Sequence, residues 1–232
     1  MTQKVPFTVI FEDNHLLVVN KASGILVQGD ISGDTPLVDL CKNYIKEKYK
    51  KPGAVFMGLV HRLDRPVTGL VVLTRTSKAL ERMNALFRNK ETEKIYWAIV
   101  KNKPMAEQGT LKHWLIKDEK KNRTTAFKKE TQGAQYAELS YIVIATGAAC
   151  WLLEVKPITG RSHQIRVQLA SMGCPIKGDL KYGDSTANED ESICLHARQL
   201  SFLHPIKKEK VIFKAPLPVM GLWKYFLKLD LG

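Results

Sequence analysis

Leu70-Val71-Val72-Leu73 is an unbroken apolar run, and it restricts the fold of this chain more than any other stretch. Without polar alternation, such a run suits a strand covered on both faces, so its sheet must lie inside the protein. It belongs to the longer stretch Val60 to Thr76, Val-His-Arg-Leu-Asp-Arg-Pro-Val-Thr-Gly-Leu-Val-Val-Leu-Thr-Arg-Thr. One carboxylate, Asp64, stands there between Arg62 and Arg65. Proline fixes φ and glycine accepts φ > 0, so Pro66 and Gly69 are expected to bracket a tight loop holding one acid at the end of a core strand. Two guanidinium groups favour the ionised acid and partial burial opposes it. On charge pattern alone, Arg-x-Asp-Arg is an ordinary surface ion pair.

The surrounding pattern alternates strands with few helices. Thr8 to Gln28 reads as strands separated by turns at Glu12-Asp13-Asn14 and Ala22-Ser23-Gly24, with Leu16 to Val19 and Ile25 to Val27 as apolar runs. Thr35-Pro36 is a helix start, with Thr35 as N-cap and Leu37, Leu40, Cys41, Tyr44 and Ile45 on one face. Lys42, Lys46, Lys48, Lys50 and Lys51 crowd its far end, either complementing the helix dipole or meeting phosphates, and Pro52-Gly53 ends it. Phe56 to Val60 is expected to be the strand that delivers the Asp64 loop. Ser77 is expected to cap a second helix bearing Leu80, Met83 and Phe87 on one face.

Glu93 to Val100 reads as a strand with Ile95, Trp97 and Ile99 on one face and Tyr96, Ala98 and Val100 on the other. Residues 117–130 form a polar hairpin or exposed arm, solvated or phosphate-tracking. Gln135 to Ala145 and Cys150 to Val155 are strands joined by a turn at Thr146-Gly147. Val211 to Lys214 is a further strand, Ala215 to Pro218 a turn, and Leu222, Trp223, Phe226 and Leu227 suggest a closing helix.

A second constellation runs from Lys156 through Thr159-Gly160-Arg161-Ser162-His163-Gln164-Ile165-Arg166. It opens a helix expected to reach about Met172, with Gly173 as its stop. Ile165, Leu169 and Met172 are assigned to the core, and His163, Arg166 and Ala170 to another face. Arg161, His163 and the amides at the helix start would converge on an anion. The plainer alternative is an amphipathic helix with a basic start.

Charge narrows the choice of partner. The 232-residue chain carries 36 Lys and Arg against 23 Asp and Glu, a net charge of +13, which points to a polyanion such as nucleic acid or an acidic membrane surface. Residues 1–10 lack a signal-peptide h-region, and the longest apolar-rich run, 139–153, is too short to span a bilayer. Cys41, Cys150, Cys174 and Cys194 are scattered without zinc-ligand spacing, which fits buried thiols in a reducing cytoplasm.

His61-Arg62-Leu63-Asp64-Arg65 with Gly69-Leu70 resembles the signature of the RluA family of RNA pseudouridine synthases, although Val67-Thr68 stands where that family usually has Thr-Ser. Four further blocks resemble its motifs in the same order. They are Asn20-Lys21 before a glycine turn, Lys94-x-Tyr96, Thr159-Gly160-Arg161-x-His163-Gln164-Ile165-Arg166 continuing through Gly178-Asp179 and Tyr182-Gly183, and Leu195-His196-Ala197 with Phe202 and His204-Pro205.

The resemblance implies an isomerase that breaks the uridine C1′–N1 bond and rejoins the base through C5, without cofactor or metal. It implies Asp64 as the essential catalytic group, Tyr96 lining the site, and Arg166 pairing with the aspartate. Lys21 would lie near the active cleft, either as a substrate contact or as a solvated strand-end lysine, and His61, Arg62, Arg161 and His163 are assigned with it to substrate binding. For the fold, it implies the α+β pseudouridine synthase class, a largely antiparallel mixed sheet in two merged lobes flanked by helices around a central cleft. The expected organisation is one catalytic domain over 1–232 without an N-terminal accessory RNA-binding domain, acting as a cytoplasmic monomer on a ribosomal or transfer RNA stem-loop and not on a membrane. The alternative is a catalytically inactive RNA-binding or ribosome-assembly protein on the same scaffold. A glycoside hydrolase would need a second acid that the motif blocks do not offer.

Overall fold

The computed structural model of the chain describes residues 6–231. In chain order the elements are β1 (Phe7–Glu12), β2 (Leu16–Lys21), α1 (Leu37–Lys48), β3 (Gly58–Leu59), β4 (Thr68–Thr74), α2 (Ser77–Arg88), β5 (Glu93–Val100), β6 (Gln108–Asp118), β7 (Arg123–Phe127), β8 (Gln135–Gly147), β9 (Cys150–Pro157), α3 (Gln164–Ser171), β10 (Leu195–Leu203) and β11 (Lys210–Lys214). Three 3-10 segments, Leu180–Tyr182, Gly221–Tyr225 and Leu227–Leu231, complete the list. The class is α+β, with antiparallel strand registers. Two compact units form: the chain through Glu93 with Arg198–Pro216, and Lys94–Ala197 with the stretch from Leu217 onward.

In the first unit the strand order is β1-β2-β4, with the Arg198–Leu203 part of β10 beyond β4 and β11 paired to β10. Leu16 and Val18 of β2, Leu70 and Val72 of β4, and Leu200 and Phe202 of β10 share one core cluster with Met83 of α2 and Phe213 of β11. The period-2 neighbours Leu17, Val19, Val71 and Leu73 are also fully buried. Both faces of β4 are therefore covered, as its unbroken apolar run requires. Each such side chain contributes roughly 1.5–3 kcal/mol of burial free energy.

The helices of this unit start one residue away from their expected caps. Pro36, not Thr35, is the N-cap of α1, with no side-chain cap bond. Thr76, not Ser77, caps α2, its hydroxyl accepting the Ala79 amide at 3.3 Å. Leu37, Cys41 and Ile45 form the buried face of α1. Its far end is tied to β1 through Glu12, which accepts from Tyr44 (3.0 Å), Lys48 (2.7 Å) and Tyr49 (2.5 Å). Lys48 thus has a local carboxylate partner.

The expected strand at Phe56 to Val60 shortens to Gly58–Leu59. Gly58 packs so closely that an added Cβ would lie 2.4 Å from Thr74 Oγ1. Ile25 to Val27 is not a strand; the Leu26 and Val27 carbonyls accept the first amides of α1, from Leu37 and Val38.

In the second unit the order is β5-β9-β8-β6-β7. The β8–β9 hairpin turns at Ala148-Ala149, not at Thr146-Gly147. Both alanines have positive φ, 50° and 55°, as a two-residue turn compatible with strand twist demands. Residues 117–130 do form a hairpin, with Asp118 opposite Arg123 and Trp114 opposite Phe127. β6 and β10 are strands that the sequence pattern does not announce.

α3 begins at Gln164 and is stopped by Gly173 at φ 80°. Its residues Gln164 to Leu169 are all buried, so the expected contrast between a core face and an Arg166 face does not separate inside from outside. The expected closing helix is two 3-10 segments, with Trp223 and Phe226 buried. No helix among the described residues is long and apolar enough to cross a membrane.

Candidate active site

Asp64 is half-buried in the segment joining β3 to β4, between the buried Leu63 and Val67. The tight turn is Asp64 to Val67, closed by the Val67 amide on the Asp64 carbonyl at 3.1 Å. Gly69, expected to bracket the turn, already belongs to β4 and lies opposite Lys21. Apolar side chains on either side of the acid thus anchor the segment in the core and leave the carboxylate near the surface.

The backbone of this loop is stitched to the turn after β2. Lys21, expected as a solvated strand-end lysine or a substrate contact, is 1% exposed. Its Nζ donates to the carbonyls of Ala22 (2.9 Å), Ile25 (3.0 Å) and Arg65 (3.1 Å). The Gly24 amide also reaches the Arg65 carbonyl at 3.0 Å, and the Ser23 hydroxyl reaches that of Pro66 at 3.4 Å. Burial pushes the Lys21 ammonium down to about 7, against the pull of the Asp64 charge, with Arg65 adding a smaller push in the same direction as burial. Lys21 is therefore an internal amine whose protonated form the Asp64 charge favours.

The two flanking arginines point elsewhere. Arg65 pairs with Asp34 at 2.6 Å and donates to the Gly24 carbonyl at 3.0 Å. Arg62 is exposed, with Nη1 3.4 Å from Gln28 Oε1. His61 accepts the Val72 amide on Nε2 at 3.0 Å and stacks on Phe87, with ring centroids 5.0 Å apart. An imidazole that accepts from a core strand helps hold that strand.

In the second unit, Tyr96 lies on β5 opposite Val155 and is partly buried, whereas Trp97 to Val100 are buried on both faces. The loop before α3 folds around Gln164, whose Oε1 accepts from Thr159 Oγ1 (2.7 Å) and from the Arg161 amide (2.9 Å). One amide of the expected anion cradle is thus engaged by a side chain. Arg161 is exposed and donates from Nε to the Tyr136 carbonyl at 3.1 Å. His163 is buried at φ 52°, its Nδ1 2.8 Å from the Tyr182 hydroxyl.

Arg166 is buried and forms a fork with Asp179, Nε to Oδ2 at 2.7 Å and Nη2 to Oδ1 at 2.9 Å. Its guanidinium carbon lies 5.0 Å from the Tyr182 ring centroid. Gly178-Asp179 and Tyr182-Gly183 belong to a motif that gives neither side chain a role; an acid thirteen residues from an arginine has no periodic signal. All four cysteines are buried, and burial drives the thiols of Cys41 and Cys194 up to about 12, so these two are inert as nucleophiles.

Comparison with known proteins matches residues 15–171 to a family model described as RNA pseudouridylate synthase. The chain is 32% identical over 215 residues to ribosomal large subunit pseudouridine synthase C of Vibrio cholerae, covering 90% of this chain and 65% of that protein. It is 32% identical over 226 residues to ribosomal large subunit pseudouridine synthase D of Zymomonas mobilis, covering 93% of this chain and 71% of that one. The chain thus spans about two thirds of the length of such relatives. Among solved structures, human RNA pseudouridylate synthase domain containing 4 superimposes with a TM-score of 0.76 at 26% identity, over 96% of this chain and 91% of that one.

Proposed function

The chain belongs to the RluA-type family of RNA pseudouridylate synthases, and on that premise we propose that it isomerises uridine to pseudouridine in structured RNA, with Asp64 as the essential group. What carries the reading is the placement of the acid. The His-Arg-Leu-Asp-Arg block falls on a loop pinned by Leu63 and Val67, and the buried Lys21 fixes its backbone from behind. A carboxylate needs such fixed geometry to act on one bond of a large substrate.

In the reaction the C1′–N1 bond breaks, the base turns, and a C1′–C5 bond forms. The C5 proton leaves to solvent and N1 regains a proton. Asp64 acts either as nucleophile at C1′ or as base at C2′. Tyr96 stacks on the base or moves the proton at C5, and Arg166 is the cation paired with the aspartate, as the resemblance assigns. Arg62 and Arg161 are exposed cations suited to the RNA backbone. The uridine must leave its stack, at a cost of about a few kcal/mol, which phosphate contacts of a +13 chain offset.

The names of the relatives favour ribosomal RNA of the large subunit over transfer RNA, and the chain is read as a cytoplasmic monomer. Carbodiimide-based primer extension on total RNA from cells with and without the gene tests the reading. One or more sites are expected to vanish without the gene and to return with wild type but not with Asp64→Asn. Asp64→Asn is expected to bind the RNA with affinity close to wild type, because the charge it removes faces the reaction and not the phosphates. Normal modification by that variant would overturn the mechanism. No missing site, with purified protein also inactive on bulk RNA, would favour an RNA-binding protein without chemistry.

A further inference from the structure

The end of the first unit's sheet away from Asp64 carries a fixed aromatic ring among lysines. Gly69 of β4 pairs with Lys21 beside the Asp64 loop, and the extended chain runs on to Arg75, whose amide reaches the His15 carbonyl at 2.8 Å. At about 3.3 Å per residue, those six steps place Arg75 roughly 20 Å from that loop.

Glu12 gathers four donors there on one carboxylate. Arg75 Nη1, at 3.0 Å, joins the hydroxyls of Tyr44 and Tyr49 and the Lys48 ammonium. One acid thus meets two cations, and the cluster keeps a positive charge. Tyr49 is fixed by it: the hydroxyl is held on Glu12 and the Arg75 guanidinium carbon lies 4.9 Å from the ring centroid, yet the residue is 47% exposed. A ring already held in one orientation loses little freedom when a second flat group stacks on it.

Uncompensated charge surrounds that ring. Residues 46–56 carry Lys46, Lys48, Lys50 and Lys51 against one acid, Glu47. Lys48 is taken by Glu12, whereas Lys46, Lys50 and Lys51 are exposed and have no ion-pair partner among the described residues. Lys50 stands at φ 47°, its amide on the Glu47 carbonyl and that of Lys51 on the Lys46 carbonyl. This is the left-handed helix stop that glycine favours, and Gly173 fills it after α3. The helix dipole accounts for Lys46 and Lys48 in the last turn of α1. It requires neither a lysine in the glycine position nor an exposed Phe56, two residues before the Gly58–Thr74 pair.

We propose that this end of the unit is a second RNA contact, at which Tyr49 stacks on an unpaired base of the substrate and Lys46, Lys50 and Lys51 hold the adjoining phosphates. Fixed aromatic rings beside free cations are a general means of holding unpaired nucleotides. The inference rests on the RNA substrate given under Proposed function. It predicts that the patch governs how tightly the RNA is held and not the rate of the chemistry at Asp64.

The test is single-turnover tritium release, with enzyme in excess and at several salt concentrations, from total RNA whose uridines are tritiated at C5, prepared from cells lacking the gene. The triple variant Lys46→Gln, Lys50→Gln, Lys51→Gln is expected to raise the half-saturating enzyme concentration about 10-fold and to flatten the slope of log affinity against log salt by about 2, with the maximal rate within about 2-fold of wild type. Tyr49→Ala is expected to raise that concentration about 10-fold, and Tyr49→Phe, which keeps the ring, less than about 3-fold. Lys103→Gln, Lys224→Gln, Lys228→Gln removes the same charge from exposed positions elsewhere and is expected to change it less than about 3-fold. The three patch lysines are exposed, so their variant keeps the test open if circular dichroism shows that Tyr49→Ala does not fold. Unchanged affinity in the folded triple variant, a loss matched by the control triple, or equal losses in the two Tyr49 variants overturns the proposal alone. Binding to phosphatidylserine vesicles that the triple variant loses, with RNA affinity unchanged, overturns it in favour of a membrane contact. A wild-type protein that releases no tritium overturns the proposal together with the function on which it rests.

Discussion

Two buried cations, one in each unit, are neutralised in opposite ways. Lys21 is surrounded by the carbonyl oxygens of Ala22, Ile25 and Arg65, whereas Arg166 is met by the full carboxylate of Asp179. Carbonyl dipoles leave the ammonium's charge only partly compensated, so its protonation becomes sensitive to burial and falls to about 7. A guanidinium keeps its proton at any working pH, and its carboxylate partner balances it outright. The first arrangement fixes a loop through its backbone; the second fixes a side chain. On the role proposed for Asp64, the loop must hold an acid without cancelling its charge, and carbonyls accomplish this where a second carboxylate beside Lys21 would compete with Asp64 for the same cation.

The comparison breaks most visibly at the ion pair. Asp179→Ala leaves a buried guanidinium without its carboxylate and is expected to cost about 3–5 kcal/mol, read as a lower denaturant midpoint at constant m-value. Lys21→Met takes the ammonium donor from the carbonyls of Ala22, Ile25 and Arg65, of which the last keeps the Gly24 amide, and is expected to cost roughly 1–3 kcal/mol at pH 6.

Its pH dependence sharpens the contrast. The folded pKa of Lys21, about 7, lies below the unfolded value of about 10.5, so between them the native state binds fewer protons than the unfolded state. Wild-type stability therefore rises with pH across that window relative to Lys21→Met, because deprotonation relieves a cost that is fully present below pH 7. Urea melts of both proteins at pH 6, 8 and 9.5 check it, and parallel curves would remove the distinction between the two cations. The smallest effect is expected from His61→Leu, which orphans the Val72 amide and costs about 1 kcal/mol, a fall of roughly 2–4 °C in Tm by calorimetry with turnover retained.

What could be read from the chain and what could not follow the same division between local and long-range causes. The apolar run of β4, the acid before it, the buried face of α1 and the glycine stop of α3 all arise from neighbours within a few residues, and their patterns announce them. The helix starts shift by one because two adjacent residues could each serve as cap: Pro36 lies next to Thr35, and Thr76 next to Ser77. The β8–β9 turn lies one step past its expected place because Ala148-Ala149 carries no glycine or asparagine to mark its positive φ. Burial of Lys21 depends on a carbonyl 44 positions away at Arg65. His61 is committed to the Val72 amide eleven residues on. Neither contact leaves a trace in periodicity, so the pattern offers both side chains to substrate. A motif names residues but not their partners, so Asp179 and Tyr182 carry no task until the fold brings them to Arg166.

The anchor of the Asp64 loop has a consequence for how such a chain changes over generations. Lys21 grips main-chain oxygens, and main-chain oxygens are the same whatever residue carries them. Positions 22, 25 and 65 are free, as far as this grip is concerned, to drift among side chains while the loop keeps its place. The whole constraint is concentrated in a single codon, that of residue 21.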